Sequence, residues 1–342
     1  MAACLAAARQ FTPPGKDWED CFSREGAKAR RRQIQGKWRH VLPLRVFFVW
    51  RCGLMALPAY IKPAIAPLFQ AGRRRVLGSL ASIVKEWIMD IVNSYQEDYR
   101  IRLNEAGPGG RLRLHALFDY LQDIASQHAT ALGIGLPVLM ERQLTWVLSR
   151  VAFRMDEYPL YGDTVRVSTY TRGFERLFAL RQFELHSLQT GRRLGVASSN
   201  WLLLRSDKLR PVAPATAFPA LADIDEQRPV FFPKLDKLPD CATAGHEQEH
   251  RIGQFQIDWN MHVNNSYYAV YARDWLAARL GRPVRLVDMQ INFNAALVFG
   301  DTMRCLGEAD EQQFRVDGVA ADGRNVFQAA GHFVVADDVA AG

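Results

Sequence analysis

Asp258, Asn260 and His262 stand at alternate positions in the stretch IDWNMHVNNSYY, which spans residues 257–268. If the backbone here is extended, period-two geometry directs these three polar side chains to one side and Trp259 and Met261 to the other. A carboxylate, an amide and an imidazole would then share one small volume.

The residues after this trio predict the start of a helix. Asn264 or Asn265 can cap it, because a short amide side chain accepts hydrogen bonds from the exposed N–H groups of the first turn. Those N–H groups carry partial positive charge and can stabilise a developing oxyanion. An acid, an amide, an imidazole and a helix N-terminus together indicate a site for acyl transfer.

Each residue of the trio also has an ordinary structural interpretation. Asp258 can hold a turn, Asn260 can bond its own backbone, and His262 can be a buried, hydrogen-bonded histidine. It is the set, in register before a capped helix, that favours chemistry.

The chain contains an internal duplication. Three landmarks recur in order: YRI at 99–101 as HRI at 250–252, LQDIA at 121–125 as ARDWL at 272–276, and YGDTVRV at 161–167 as FGDTMRC at 299–305. Landmarks that recur in the same order in each half predict two copies of one structural unit. YRI and HRI lie 151 residues apart. At that offset the polar trio corresponds to Gly107, Gly109 and Arg111, so the first copy would keep the scaffold and shape or bind the substrate.

Each copy has the same predicted order of elements. Apolar residues at helical spacing predict a helix over 112–132 in the first copy and near 265–280 in the second. Strand-like runs follow both helices, at 144–155, 163–171, 177–186 and 195–205, and then at 285–293, 301–308, 312–320 and 325–336. One helix followed by several strands predicts an α+β fold, with a helix cradled by an antiparallel sheet.

Two segments lie outside the copies. Residues 206–245 hold six of the 16 prolines, which disfavours both ladders and helices and predicts a linker laid across the sheets. Residues 1–85 contain 16 Lys/Arg and four Asp/Glu, so they hold all the excess charge of a chain with a net charge of +7. We interpret 1–88 as a basic, disordered or wrongly included leader with Met89 as a start; a targeting peptide or an arm for nucleic acid or a membrane surface stays open.

Cysteine usage points to a reducing compartment, because five cysteines without close pairing do not form a disulfide framework or a zinc cluster. A cytoplasmic location is expected, and no apolar window reaches the roughly 20 residues of a membrane span.

Cys305 as a nucleophile is a weaker alternative, since a buried apolar role suffices on its strand. His128, on the apolar face of the first helix, is interpreted as a histidine at the edge of the core.

The trio and its surroundings resemble the D-x-N-x-H-V-N-N signature of the acyl-acyl-carrier-protein (acyl-ACP) thioesterases, present here as DWNMHVNN. The first copy is similar to that family as well, through YLQDIASQHATALG, WVLSRVAFRMDEYPLYGD and RLFALRQFEL. The resemblance covers about 90–336. It implies a tandem hotdog fold, with an acyl-binding N-terminal hotdog at 89–210, a Pro-rich linker at 211–245 and a catalytic C-terminal hotdog at 246–336.

The resemblance implies hydrolysis of fatty acyl-ACP, with no metal and no cofactor. Asp258 would activate water or attack directly, His262 and Asn260 would orient substrate and water, and Asn264 and Asn265 at the helix start would bind the thioester carbonyl. The partner would be acyl carrier protein carrying an acyl-phosphopantetheine, and a homodimer stays open. Because that carrier is acidic, a basic docking surface is expected, with five candidates: Arg172, Arg176, Arg181, Arg192 and Arg193.

One position departs from the family. The acid expected three residues after Phe293 is Ala296, which leaves Asn294 as the nearest polar neighbour in sequence. Two other functions therefore stay open: an acyl-coenzyme A thioesterase, and a non-catalytic acyl-thioester sensor with a basic arm for nucleic acid.

Overall fold

Eleven strands form one antiparallel sheet within residues 94–221, 228–241 and 246–335, which are the residues that this computed structural model describes. The predicted extension 1–88 lies outside the described residues.

Both halves of the sheet follow the same sequence of elements. The first half comprises β1 (Tyr95–Arg100), α1 (Leu114–Ala131), α2 (Leu136–Glu141), β2 (Leu144–Met155), β3 (Thr164–Glu175), β4 (Phe178–Ser187) and β5 (Arg193–Arg205). The second half comprises β7 (His246–Arg251), α4 (Asn265–Leu280), β8 (Val284–Phe293), β9 (Thr302–Ala309), β10 (Gln313–Ala320) and β11 (Asn325–Val335). The predicted α+β fold, with one central helix in each of two hotdog repeats, is confirmed.

The two halves meet at one pair of strands. The order across the sheet is β1-β3-β4-β5-β2-β8-β11-β10-β9-β7, so the second half repeats the order of the first in reverse. At the junction β2 pairs with β8, with Val151 opposite Ile291 and Phe153 opposite Met289. This pairing makes a single sheet of the two repeats, and α1 packs against α4 beneath it.

Apolar residues at helical spacing explain both long helices. Leu117, Leu121 and Ile124 of α1 are buried, as is Trp275 of α4. Burying such side chains stabilises the fold by about 1.5–3 kcal/mol each. Gly281 ends α4 in the left-handed conformation with φ of 66°, as expected for a helix C-terminus.

The duplication reaches individual hydrogen bonds. Glu105 and its counterpart Gln256 each accept a bond from the backbone N–H three residues earlier, at 2.8 and 2.6 Å. Each also bonds the hydroxyl of a tyrosine on the following helix, Tyr120 in one half and Tyr271 in the other. The two copies therefore share a polar anchor as well as an order of elements.

The loop that precedes each long helix is duplicated too. An isolated bridge closes 106–112 in the first half and 257–263 in the second. In each loop an N–H donates to a carbonyl four residues ahead, from Gly107 to Arg111 at 2.7 Å and from Asp258 to His262 at 2.8 Å.

The segment 228–241, which we call the strap, crosses the sheet between the halves. The Tyr170 hydroxyl of β3 donates to the Pro229 carbonyl at 2.7 Å, and the Gln328 amide of β11 donates to Asp240 at 2.8 Å. The prediction that the linker lies across the sheets is confirmed for these residues.

The expectation that no ladder or helix forms at 206–221 is wrong. β6 (Pro211–Val212) pairs with β5, and α3 (Pro214–Ala217) is a single turn with proline at its start. A two-residue edge strand and a helix N-terminus are both places where a missing proline N–H is tolerated.

No helix among the described residues is long and apolar enough to cross a membrane. The domain boundaries expected at 89–210, 211–245 and 246–336 stay predictions.

A backbone feature of the two loops leads to a stability prediction. Met261 has φ of 64°, and its first-half counterpart Gly110 has φ of 70°. This conformation costs a residue with a Cβ roughly 1–2 kcal/mol, and the half-exposed Met261 side chain packs little. We therefore expect Met261→Gly to have a free energy of unfolding about 1 kcal/mol higher than Met261→Ala, measured by urea denaturation. A lower value for the glycine variant would contradict the account.

Candidate active site

The loop holding Asp258, Asn260 and His262 is a closed turn, so the extended geometry expected from the sequence is wrong. The Asp258 carboxylate accepts a hydrogen bond from the Asn260 N–H at 2.8 Å, and the Met261 N–H donates to the Asp258 carbonyl at 3.0 Å. A short carboxylate that caps its own turn competes with an extended backbone. A backbone hydrogen bond from the Asp258 N–H to the His262 carbonyl sets these two residues opposite each other across the turn.

The second helix begins where the loop ends. Asn264 is its N-cap, and the Asn264 side chain accepts a hydrogen bond from the Ser266 N–H at 2.9 Å. Asn265 is the first helical residue. Of the two candidate caps, the structure therefore selects Asn264, and the remaining first-turn N–H groups of α4 lie directly beyond the trio.

A cavity of about 240 Å³ opens beside this loop. Trp259 and Asn260 line it from the second half, Leu221 lines it from the segment between the halves, and its other lining residues come from the first half. Most of the lining residues are apolar, among them Ala129, Ile134, Leu139, Trp146, Phe174 and Leu221. The site loop thus lies at one side of an apolar space built mostly by the other repeat. A larger cavity, of about 600 Å³, lies between the strap and the second-half strands and contains no residue of the trio.

Arg181 lies in the wall of the smaller cavity, and its proposed place on a docking surface is wrong. The side chain is buried, and its guanidinium donates to His128 Nδ1 at 2.8 Å and to Thr169 Oγ1 at 3.1 Å. Burial lowers the pKa of Arg181 to about 10. His128 is fully buried and bonds this guanidinium, so it lies within the core and not at its edge.

Cys305 is an internal residue of β9 and not a nucleophile. It has no exposed surface, and burial raises the pKa of its thiol well above the usual range. A nucleophilic cysteine needs a lowered pKa and access to substrate. The interpretation of Cys305 as a small apolar residue is confirmed.

Residue 296, where the family's second acid is expected, lies next to the site loop. Ala296 is exposed and directly precedes Leu297, whose carbonyl accepts from the Val263 N–H at 2.9 Å. Asn294 does not turn towards the trio, because its side-chain amide donates to Asn325 at 2.8 Å. Position 296 therefore adjoins the site loop but brings no polar group to it.

One residue that the sequence interpretation missed reaches the site from the first half. The Gln122 amide of α1 donates to the Asn264 side chain at 3.3 Å. Gln122 is a polar residue between the apolar positions Leu121 and Ile124 of an amphipathic helix, and nothing in that local pattern names the element that it contacts.

Exposed apolar side chains surround the site loop. Phe255, Trp259 and Phe299 are 75%, 68% and 65% exposed, and Met261 and Val298 are exposed as well. Backbone bonds join the two loops that carry them, since Ile252 and Val263 pair with residues of 297–301. The loop thus presents an apolar rim beside its polar residues.

Among the described residues, no group of three or more His, Cys, Asp or Glu side chains is placed to hold a metal ion.

Comparisons with known proteins agree with this geometry. Residues 92–217 match the Acyl-ACP thioesterase N-terminal domain, and residues 241–333 match the Acyl-ACP thioesterase C-terminal domain. An oleoyl-acyl carrier protein thioesterase of Coriandrum sativum is 25% identical over 201 residues, which are 51% of this chain and 52% of that protein. A palmitoyl-acyl carrier protein thioesterase of Gossypium hirsutum is 26% identical over 186 residues, 51% of this chain and 45% of that protein. The chain thus spans about half the length of these curated relatives.

Solved structures share the fold. An acyl-ACP thioesterase from Bacteroides thetaiotaomicron superposes with a TM-score of 0.62 at 24% identity, covering 72% of this chain and 99% of that one. The 12:0-ACP thioesterase from Umbellularia californica gives a TM-score of 0.61 at 22% identity, covering 71% and 97%. Since the two family domains match in order and together cover more than half of the chain, this protein belongs to the acyl-ACP thioesterase family.

Proposed function

We propose that this chain hydrolyses the thioester of fatty acyl-ACP, releasing a free fatty acid and the carrier. The observation that carries the proposal is the position of Asn260, which lines an apolar cavity from the loop that leads into the capped start of α4. Such an arrangement holds a reactive carbonyl at the polar end and an acyl chain in the cavity. Membership of the family and the names of the relatives support it.

The chemistry follows from the residue types. The Asp258 carboxylate takes a proton from a water molecule, and the water oxygen bonds to the thioester carbon. The carbon–sulfur bond then breaks, and the departing sulfur takes up the proton. Partial positive charge at the start of α4 stabilises the oxyanion that forms between these steps. Asn260 and His262 orient the substrate and the water, and Asn264 and Asn265 bind the carbonyl from the helix start.

Four arginines stay candidates for carrier docking. Arg192 and Arg193 are ion-paired with Glu157 at 3.5 Å and with Asp156 at 3.7 Å. Arg176 is exposed in the hairpin between β3 and β4, and both of these strands also line the cavity. We therefore favour Arg176 as the first docking residue to test for an acidic carrier, and Arg172 on β3 stays a candidate.

The remaining expectations are kept as predictions. A cytoplasmic location is still expected, with carrier protein as the partner, and a homodimer stays open. The basic arm on which the sensor alternative depends lies within 1–88, outside the described residues.

The first test compares matched acyl-ACP and acyl-coenzyme A panels as substrates of the full chain, measured by fatty acid release. We expect hydrolysis of the carrier-protein panel at higher kcat/KM. Asp258→Ala should lose about 10²–10⁴-fold in kcat, because general-base catalysis contributes that much.

Three results would count against the proposal. Preference for the coenzyme A panel would make the protein an acyl-coenzyme A thioesterase, and no release from either panel by folded protein would remove the enzymatic activity. Equal rates for Asp258→Ala and the unmodified chain would remove Asp258 from the mechanism.

Cys305→Ala is expected to keep kcat within about twofold of the unmodified chain, because a buried thiol with a raised pKa takes no part in attack. The same release assay measures kcat, and thermal unfolding reports the cost of the lost packing. A loss comparable to that of Asp258→Ala in stable protein would restore the cysteine alternative.

Chain-length preference tests the cavity. Ala129 of α1 lines it, so Ala129→Phe should fill part of the space and lower kcat/KM for the longest accepted acyl chain by about tenfold, or about 1.4 kcal/mol. Shorter chains should be affected less. Ala129→Ser adds one atom and is the matched control. An equal loss at all chain lengths would show that the acyl chain lies elsewhere.

A further inference from the structure

The cavity beside the site loop has a charged group in its wall. Arg181 of β4 lines the cavity, and so does Thr171, its direct partner across the pairing of β3 with β4. Arg181 is only 6% exposed, so its charge is withdrawn from bulk solvent. Every other described residue that lines this cavity is uncharged. The space proposed for an acyl chain therefore contains a cation.

Both hydrogen-bond partners of the Arg181 guanidinium are neutral. Its Nη1 donates to His128 Nδ1 at 2.8 Å and to Thr169 Oγ1 at 3.1 Å. Because a guanidinium can only donate, the His128 nitrogen accepts this bond and carries no proton, so the ring is neutral. The Thr169 hydroxyl in turn donates to the Gln182 carbonyl at 3.0 Å. These contacts place the guanidinium but do not balance its charge.

No carboxylate among the described residues forms an ion pair with Arg181. Burial is the cause that lowers the pKa of Arg181 to about 10, and no neighbouring charge acts against it. A buried charge without an opposite charge is costly, and buried charges are ordinarily paired. Since Nη1 makes both hydrogen bonds, Nε and Nη2 keep donors for a further acceptor. The cavity that Arg181 lines is the space through which a ligand reaches them.

We propose that this cavity accepts acyl chains that carry a carboxylate, and that the carboxylate pairs with the Arg181 guanidinium. The substrate is then the thioester of a dicarboxylic acid, and the inference rests on the proposed hydrolysis for its reaction. Two parallel N–H groups of a guanidinium match the two oxygens of a carboxylate. Asn260 and Arg181 line the same cavity from opposite halves, so one ligand can contact both.

The first test compares acyl-ACP substrates of the full chain that differ only at the far end of the acyl group. Unsubstituted, ω-hydroxyl and ω-carboxyl acyl groups are matched over a series of chain lengths, and release of the acid gives kcat/KM. We expect the best ω-carboxyl substrate to exceed its unsubstituted counterpart by about 10- to 100-fold, the range for a hydrogen bond to a charged group. Equal or lower values for the carboxylate at every length, or a preference for the hydroxyl, would overturn the proposal.

Arg181→Met separates recognition of the carboxylate from support of the fold. The variant should lose about 10- to 100-fold in kcat/KM for the ω-carboxyl chain and keep or improve the value for the unsubstituted chain. A residue that only ties β4 to α1 would lower both values alike, and that result would count against recognition. Arg166→Met is the matched control, because Arg166 pairs with Asp98 at 2.7 Å and does not line the cavity. It changes the net charge equally and should leave the preference intact.

A binding measurement on the unmodified chain keeps the two proposals distinct. The probes are the monomethyl ester of a dicarboxylic acid and the methyl ester of the monocarboxylic acid of equal length. Trp146, Trp201 and Trp259 line the cavity, so tryptophan fluorescence reports occupancy. We expect the probe with the carboxylate to bind at least about tenfold more tightly.

The outcomes then separate. If the unmodified chain hydrolyses unsubstituted acyl-ACP but binds both esters equally, this inference fails and the proposed function stands. If it hydrolyses no acyl thioester but prefers the probe with the carboxylate, the proposed function fails and the carboxylate site stands. Loss of that preference in folded Arg181→Met would assign it to the guanidinium, and its persistence there would overturn the assignment.

Discussion

The pairing of β2 with β8 is the interaction on which the rest of the structure depends. Each repeat alone would leave an edge strand with unpaired N–H and C=O groups, and pairing these edges converts a six-stranded and a five-stranded unit into one sheet. It also fixes where α1 and α4 meet. The site residues of the second half and the cavity residues of the first half are neighbours only because that edge is shared.

In this arrangement the two halves supply different parts of the candidate site. The second half provides a capped helix start and a turn with a carboxylate, an amide and an imidazole. The first half provides most of an apolar space and the Gln122 amide, which donates to the cap of the helix. The polar trio belongs to one half and most of the cavity lining to the other, so the proposed hydrolysis would need both repeats.

Much of the fold could be predicted because periodicity records local geometry. The helices predicted over 112–132 and 265–280 are α1 and α4 within two residues at each end, and the predicted strands lie within a few residues of β2–β5 and β8–β11. The trio was found from its residue types and its place before the helix. These features depend on residues that are close in sequence, so one sequence is enough to predict them.

What could not be predicted depends on contacts between distant residues. The turn at 257–263 closes because the Asp258 side chain bonds its own backbone, and alternation of polar and apolar residues cannot separate that turn from a strand. Arginine on a strand usually faces solvent, but the Arg181 side chain is buried and contacts His128. The Gln122 contact spans 142 residues, and no local pattern names its partner.

The glycine-rich loop at 106–112 has a consequence for how this kind of site can be studied. It repeats the bridge, the turn hydrogen bond and the left-handed residue of the loop at 257–263, with glycine at two of the three trio positions. The molecule therefore carries, under the same conditions, a second copy of the proposed reactive loop that lacks the polar trio. Hydrogen exchange in the two loops would show how much less stable the loop with the polar trio is than its glycine-rich counterpart. Because both loops belong to one molecule, differences between two proteins do not enter the comparison.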